Sequence, residues 1–211
     1  MYVVKEELIP ENKKDLKKEV DRLMDLSGNV KGEVLRATFA YIEMREGPEG
    51  VKKIEDTLNE MGYPFPHKSI RPYKWYKESY SVSIYLSAMV VLGWKQEDIY
   101  NLANSVLKLS FLLRLIVKQF VSLRHIFEES AKYWERHLDF GSLVPQEIDE
   151  EKKYIIFYIE GYNFHPISNV YHTGYFDAVM KLSVRGEGVA VKVVKSVYDG
   201  ERHTEILGQW K

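Results

Sequence analysis

Between Tyr154 and Leu182 the chain reads YIIFYIEGYNFHPISNVYHTGYFDAVMKL, gathering Tyr154, Tyr158, Tyr162, Tyr171 and Tyr175 with His165, His172, Glu160 and Asp177. Such side chains can move protons or hold metals, provided their spacing brings them together. His165 and His172 stand seven apart across a loop holding Pro166, and Asp177 follows His172 by five. There is no HExxH, no His-x-His pair and no compact carboxylate group, so these histidines are read as hydrogen-bonded or solvated and no metal is expected. His203 and Glu205 fall on one face of a strand and are read as surface neighbours. GYFDAVM lacks the G-x-S-x-G of a nucleophile turn, and Asp177 is expected to face solvent or to order a first helical turn. Gly186-x-Gly188 has no helix after it and reads as a turn before a strand, not a phosphate loop. No catalytic residue is assigned, and the chain is read as a non-enzyme.

The tyrosines remain. Strand alternation puts Tyr154, Ile156, Tyr158 and Glu160 on one face and Ile155, Phe157 and Ile159 on the other. The second set is wholly apolar and should meet the helices. The first lines either a polar pocket mouth or a wet sheet surface. RPYKWYKESY interleaves Arg71, Lys74 and Lys77 with Tyr73, Trp75 and Tyr76, a pattern that can stack single-stranded nucleic acid. Glu78 follows at once, however, and the whole chain balances 30 basic against 31 acidic residues. A loop whose aromatics plug a helical layer is the better reading, and no nucleic-acid partner is expected.

The elements that must position these residues follow from composition and periodicity. With 211 residues and 45% apolar content, a packed core is expected. Cysteine is absent, which excludes disulfides, thiolate catalysis and Cys-ligated metals. MYVVKEELIPENKKD has no apolar leader region, and VLKLSFLLRLIVKQFV (Val106–Val121) is too short and too charged to span a bilayer. The reading is a cytoplasmic protein without a membrane span. Up to about Asp139 the period is helical. Helices are expected from Pro10, over Gly32–Arg45, from Pro48 to Gly62, over Glu78–Leu92 and from Gln96, and then along a long apolar run broken near Ser122. YPFPHKSIRPYKWY, with its prolines, reads as a loop. KKYIIFYIE is a strand, NVYHTGYFDAVMKL a helix, and GVAVKVVKSVYDGERHTEILGQW a hairpin turning on Asp199–Gly200. Its register pairs Tyr198 with Glu201, Ser196 with His203, Val194 with Glu205, Val193 with Ile206, Val191 with Gly208 and Val189 with Trp210. Val189, Val191, Val193, Ile206 and Trp210 should then be buried, and Lys192, Ser196, His203 and Glu205 wet. The fold class is α+β: an N-terminal helical layer on a small antiparallel β-α-β-β sheet.

VKGEVLRATFAYIEMREGPEGVKKIEDTLNEMG, KYWERHLDFGSL and YHTGYFDAVMKL, taken in order, resemble the haem–nitric oxide/oxygen-binding (H-NOX), 4-vinyl-reductase and TRAPP superfamily. A Trp before DFG and the final Glu205-x-x-x-x-Trp210 are most similar to its haem-free, uncharacterised myxobacterial-type members. The resemblance covers about residues 30 to 211. It implies a helical extension over 1–28 and a single ligand-binding domain over 29–211, with a helical part at 29–140 and a β-α-β-β part at 150–211. It further implies an apolar pocket between helices and sheet, contacted by Trp75, Phe111, Leu115, Phe157, Tyr158, Tyr162 and Phe176, for a small apolar or lipid-like molecule. The expected function is non-catalytic binding or sensing. The alternatives are a homodimeric TRAPP-like adaptor, suggested by the Val106–Val121 run, and a haem gas sensor with a signalling partner. Haem in the superfamily is held by a helix His and a Tyr-x-Ser-x-Arg strand. Here Tyr158 matches the Tyr, but Glu160 stands at the Ser and Tyr162 at the Arg, and an Arg fork is the good propionate partner. His125 and His137 are the haem-ligand candidates, and neither lies at the distance from Tyr158 that the resemblance leads one to expect. The domain is therefore read as haem-free.

Overall fold

The computed structural model describes residues 2–109, 122–184 and 188–211. Helix α1 (Lys13–Met24) starts not at Pro10 but after Asn12, whose side chain accepts from the N–H groups of Lys14 and Asp15. Its Leu16, Val20 and Leu23 are fully buried in the one core shared by helices and sheet. The short strand β1 (Asn29–Lys31) leads into α2 (Gly32–Glu60), which breaks at Gly47. There φ is 70° and ψ −178°, a conformation open to glycine, and Pro48 restarts the helix where its missing N–H costs nothing.

Strand β2 (Trp75–Lys77) pairs antiparallel with β1, with Val30 opposite Tyr76. This ribbon corrects the loop expected over YPFPHKSIRPYKWY: three-residue strands are too short to show alternation beside so many prolines. Helix α3 (Ser79–Leu92) carries no charge, is buried at Ser79 and from Ser81 to Ala88 with Tyr80 half-buried, and ends at Gly93 with φ 71°. Helices α4 (Gln96–Leu109) and α5 (Leu123–His137) follow. The second is capped by Ser122, which accepts from the N–H of His125, at the break expected there.

The C-terminal sheet has four antiparallel strands in the order β3-β4-β6-β5: β3 (Ser142–Asp149), β4 (Tyr154–Glu160), β5 (Ala190–Lys195) and β6 (Thr204–Gln209). Helix α6 (Ile167–Ser183) joins β4 to β5 and lies between the sheet and α4. The unit is thus β-β-α-β-β, not β-α-β-β. Strand β3 escaped notice because Pro145 and a bulge before Glu147 interrupt its alternation. On β4, Ile155, Phe157 and Ile159 are buried, as the alternation required. In the β5–β6 pair, Val191 faces Gly208 and Val193 faces Ile206 as expected. A bulge at Val194 then brings Lys195, not Val194, opposite Glu205, and a 3-10 turn over Val197–Asp199 with Gly200 at φ 90° replaces the two-residue turn. Ser196, expected wet, is buried: it accepts from Asn169 Nδ2 at 2.8 Å and from the Tyr198 N–H at 3.1 Å.

The first residues are tied to both layers. Val4 exchanges two hydrogen bonds of 2.7 Å with the Gln96 side chain, and His165 Nε2 donates to the Leu8 carbonyl at 2.8 Å.

Helices α4 and α6 approach so closely at Gly174 that a Cβ there would lie 2.3 Å from the Tyr100 carbonyl oxygen and 3.1 Å from Ala103 Cβ. Alanine gains about 1 kcal/mol of helix propensity over glycine, but overpacking against backbone costs about 1–3 kcal/mol. Gly174→Ala is expected to lower the thermal midpoint by several degrees, since each 1 kcal/mol moves a chain of this size by about 2–4 °C. A midpoint at or above wild type in calorimetry would show that the helices can part without cost.

Candidate functional site

Glu78 sits immediately before the uncharged helix α3 and is carried inward with it. Its backbone N–H donates to the Gly28 carbonyl at 3.0 Å, which fixes the residue against the turn after α1. Glu78 is 5% exposed, and none of the described Lys or Arg residues neighbours its carboxyl. Tyr162 Oη donates to Oε1 at 2.5 Å and Ser81 Oγ to Oε2 at 2.8 Å. Burial outweighs these two hydrogen bonds and pushes the carboxyl up to about 7.

Beside this group lies a cavity of about 110 Å³. Among the described residues its wall draws on β1 with Val30, α2 with Val34, Glu78 and Tyr85 at and within α3, α4 with Val106, α5 with Trp134 and His137, β3 with Leu143, and α6 with Tyr171, His172, Tyr175 and Phe176. Its lining is chiefly aromatic. Tyr85 and Tyr171 stack at 5.0 Å, the Tyr162 ring meets His172 edge-on at 4.8 Å, and Trp134 is held by Nε1–H donation to the Phe140 carbonyl at 2.9 Å. His172 lines the cavity, and its Nδ1 is buried with no hydrogen-bond partner. Burial alone pushes this imidazole down to about 3, so it is neutral at physiological pH.

The residues singled out in the sequence are dispersed. Tyr162 and Phe176 line the cavity. Phe157 lies beneath it in the core, 5.2 Å from the Phe176 ring. Tyr158 is on the other face of the sheet, stacked on His203 at 3.8 Å. Trp75 is 41% exposed on the ribbon, with Lys31 Nζ 3.7 Å above its ring. Phe111, Leu115, Gly186 and most of Val106–Val121 lie outside the described residues. Asp177, expected at the surface or in a first turn, is instead buried in the middle of α6, bound by Asn104 Nδ2 at 2.7 Å and Lys181 Nζ at 2.6 Å. His165 is buried as a neutral Nε2–H tautomer, since Nδ1 accepts from the Ile167 N–H at 3.0 Å. Glu205 pairs with Lys195 at 2.9 Å, not with His203. Among the described residues no group of three or more His, Asp or Glu is placed to hold a metal, and no helix is long and apolar enough to cross a membrane. Sequence reasoning missed Glu78, His172 and Trp134. The available signal was Glu78 itself, a lone charge heading fourteen uncharged residues that had to be internal.

No family model and no curated protein matches this chain. Among solved structures it is similar to an H-NOX protein from S. oneidensis in the Fe(II)NO ligation state, with TM-score 0.65 at 11% identity over 86% of this chain and 99% of that one. An oxygen-binding H-NOX domain related to soluble guanylate cyclases gives TM-score 0.62 at 13% identity over 86% and 95%. A Cs H-NOX bearing 4-cyano-L-phenylalanine gives 0.63 at 13% over 86% and 96%. The chain has an H-NOX-like α+β fold.

The described residues do not fit haem. The cavity is well below the roughly 300–1,000 Å³ of pockets for drug-sized ligands. It offers propionates a carboxyl and no Arg or Lys. Tyr162, at the position of the motif's Arg, spends its hydroxyl on Glu78. Of the haem-ligand candidates, His137 has Nδ1 on the Tyr133 carbonyl at 2.8 Å and Nε2 on Glu33 at 3.0 Å, and His125 is exposed.

The two buried groups tilt stability in opposite directions. The folded pKa of Glu78 lies above the ordinary carboxyl value of 4.5, so its contribution is full below about 4.5 and is lost as pH rises to about 7, on the order of 3 kcal/mol. The folded pKa of His172 lies below 6.5, so stability is full above that and is lost as pH falls toward 3. Between about 4.5 and 6.5 the slopes cancel. Relative to wild type, Glu78→Gln should therefore gain stability with rising pH across that window, and His172→Phe should lose it. Urea unfolding at half-unit pH steps checks this; parallel curves for all three proteins would refute it.

Proposed function

We propose that this chain is a haem-free sensory or small-molecule-binding domain that acts by occupancy and not by catalysis. The observation that carries the reading is the unpartnered, buried Nδ1 of His172 in the wall of an aromatic cavity. A buried polar atom without a partner costs about 1–3 kcal/mol, and a guest that satisfies it recovers that cost. The volume suits the purpose: a cavity of roughly 150 Å³ accommodates benzene, and this one, at about 110 Å³, suits a guest of that size or smaller. Burial of the guest's apolar surface would supply about 25 cal/mol per Å² before ordering costs.

The position of the cavity supports a sensing role. Its walls come from both layers, so a guest touches the helices and α6 together. A binding role also accords with Glu78, both of whose oxygens are occupied by hydroxyls of the same chain. The adaptor reading drew on the Val106–Val121 run, and no feature of the described residues adds to it.

Native mass spectrometry after gentle purification should show a small mass excess that collapses on mild activation. Val34→Phe, which fills the cavity from α2, should abolish it. Haemin added to the purified protein should give no Soret band. A stoichiometric Soret complex, or a mass excess unchanged by Val34→Phe, would overturn the assignment.

A further inference from the structure

We propose that the guest is a compact organic cation, a protonated or quaternary amine, countered by Glu78 and enclosed by aromatic rings. This inference rests on reading the cavity as a binding site and adds the chemical class of what enters it.

The first ground is charge. Glu78 is a carboxyl on the cavity wall, and among the described residues no Lys or Arg lines the cavity with it. Of the two imidazoles in the wall, His137 is turned to Glu33, and His172 is held neutral by burial. Glu33 adds a second acidic group behind His137, and its Oε2 is buried without a partner. The described wall therefore offers acidic groups for a positive charge and no cationic side chain for a negative one. An anionic guest would meet repulsion, and a neutral one would leave Glu78 as it is.

The second ground is the wall. Tyr85, Trp134, Tyr162, Tyr171, Tyr175 and Phe176 surround the space. Aromatic faces attract ammonium groups by roughly 0.5–2 kcal/mol each, most strongly where water is excluded, and aromatic cages are a recurrent solution for alkylated ammonium ions. The third ground is His172 Nδ1, which as an acceptor would take an N–H from a protonated amine. Ring walls, a buried carboxyl and a free imidazole nitrogen together match an alkylammonium better than a phenol, an acid or a hydrocarbon.

The carboxyl couples binding to pH. It is held up near 7 by burial, with Tyr162 and Ser81 hydrogen-bonded to it, Tyr85 on its own helix, His172 across the cavity on α6, and the His137–Glu33 pair at the α5 side. A cation must expel the Glu78 proton below that pH, so its affinity should fall about tenfold per unit of acidification and level off above it.

Three probes sharing a tert-butyl body separate the possibilities: tert-butylammonium, tert-butanol and pivalate, titrated into the full chain by calorimetry and ligand-observed NMR. At pH 8 tert-butylammonium should bind at least tenfold more tightly than tert-butanol, and pivalate should not bind. From pH 7 to 5.5 only the tert-butylammonium affinity should fall. Glu78→Gln should weaken tert-butylammonium at least tenfold and abolish its pH dependence, with circular dichroism and a cooperative thermal melt reporting that the variant is folded. If tert-butanol matches tert-butylammonium in wild type, or Glu78→Gln leaves the cation's affinity intact, the cation inference is overturned and the cavity still stands as a binding site. If none of the three binds, the cavity reading fails with it.

Discussion

A buried carboxyl with no cation beside it among the described residues is the constraint from which much of this molecule follows. Helix α3 has no charged residue, so it can only be internal, and Glu78 at its head is drawn in with it. A lone buried carboxylate would be very costly, so it must be protonated, hydrogen-bonded or both. Tyr162 and Ser81 meet that need. Because Tyr162 follows β4 while Glu78 precedes α3, their 2.5 Å contact ties the sheet to the helical layer. The Tyr162 ring is then held among Trp134, Phe140, Phe164 and His172. The aromatic cavity is the space left when these rings converge on one hydroxyl–carboxyl pair.

Much of the architecture was legible in the chain because it rests on strong local signals. The helical period over α2 to α4, the Gly47–Pro48 break, the break near Ser122 and the alternation of β4 each follow from a few residues. What was not legible depends on contacts distant in sequence. Strand β3 hides behind Pro145. The β1–β2 ribbon is too short for any pattern. Ser196 looked wet by strand parity, but a bulge at Val194 shifts its surroundings and Asn169 claims it from α6. The site was half visible. Tyr162 and Phe176 could be named from the resemblance, whereas His172 looked like any helical histidine until the rings around it were in place.

Likeness of fold and likeness of site separate cleanly in this chain. Its backbone follows the H-NOX arrangement over 86% of its length, yet Tyr158, Glu160 and Tyr162, the positions that the resemblance sets against Tyr-x-Ser-x-Arg, meet three different environments. Tyr158 stacks on the outer face, Glu160 is exposed, and Tyr162 turns inward to a carboxyl. A scaffold fixes where a hollow can form; the side chains decide what charge and size it accepts.

The rims of the four-stranded sheet also shape what the domain can do in company. One outer strand, β3, is kinked by Pro145 and its bulge; the other, β5, carries the exposed Lys192 and Lys195 and a bulge of its own. Proline, lysine and irregular backbone are the features that stop a naked edge from templating a neighbour. Growth of the sheet by strand addition, whether into an ordered complex or an aggregate, is thereby discouraged at both margins.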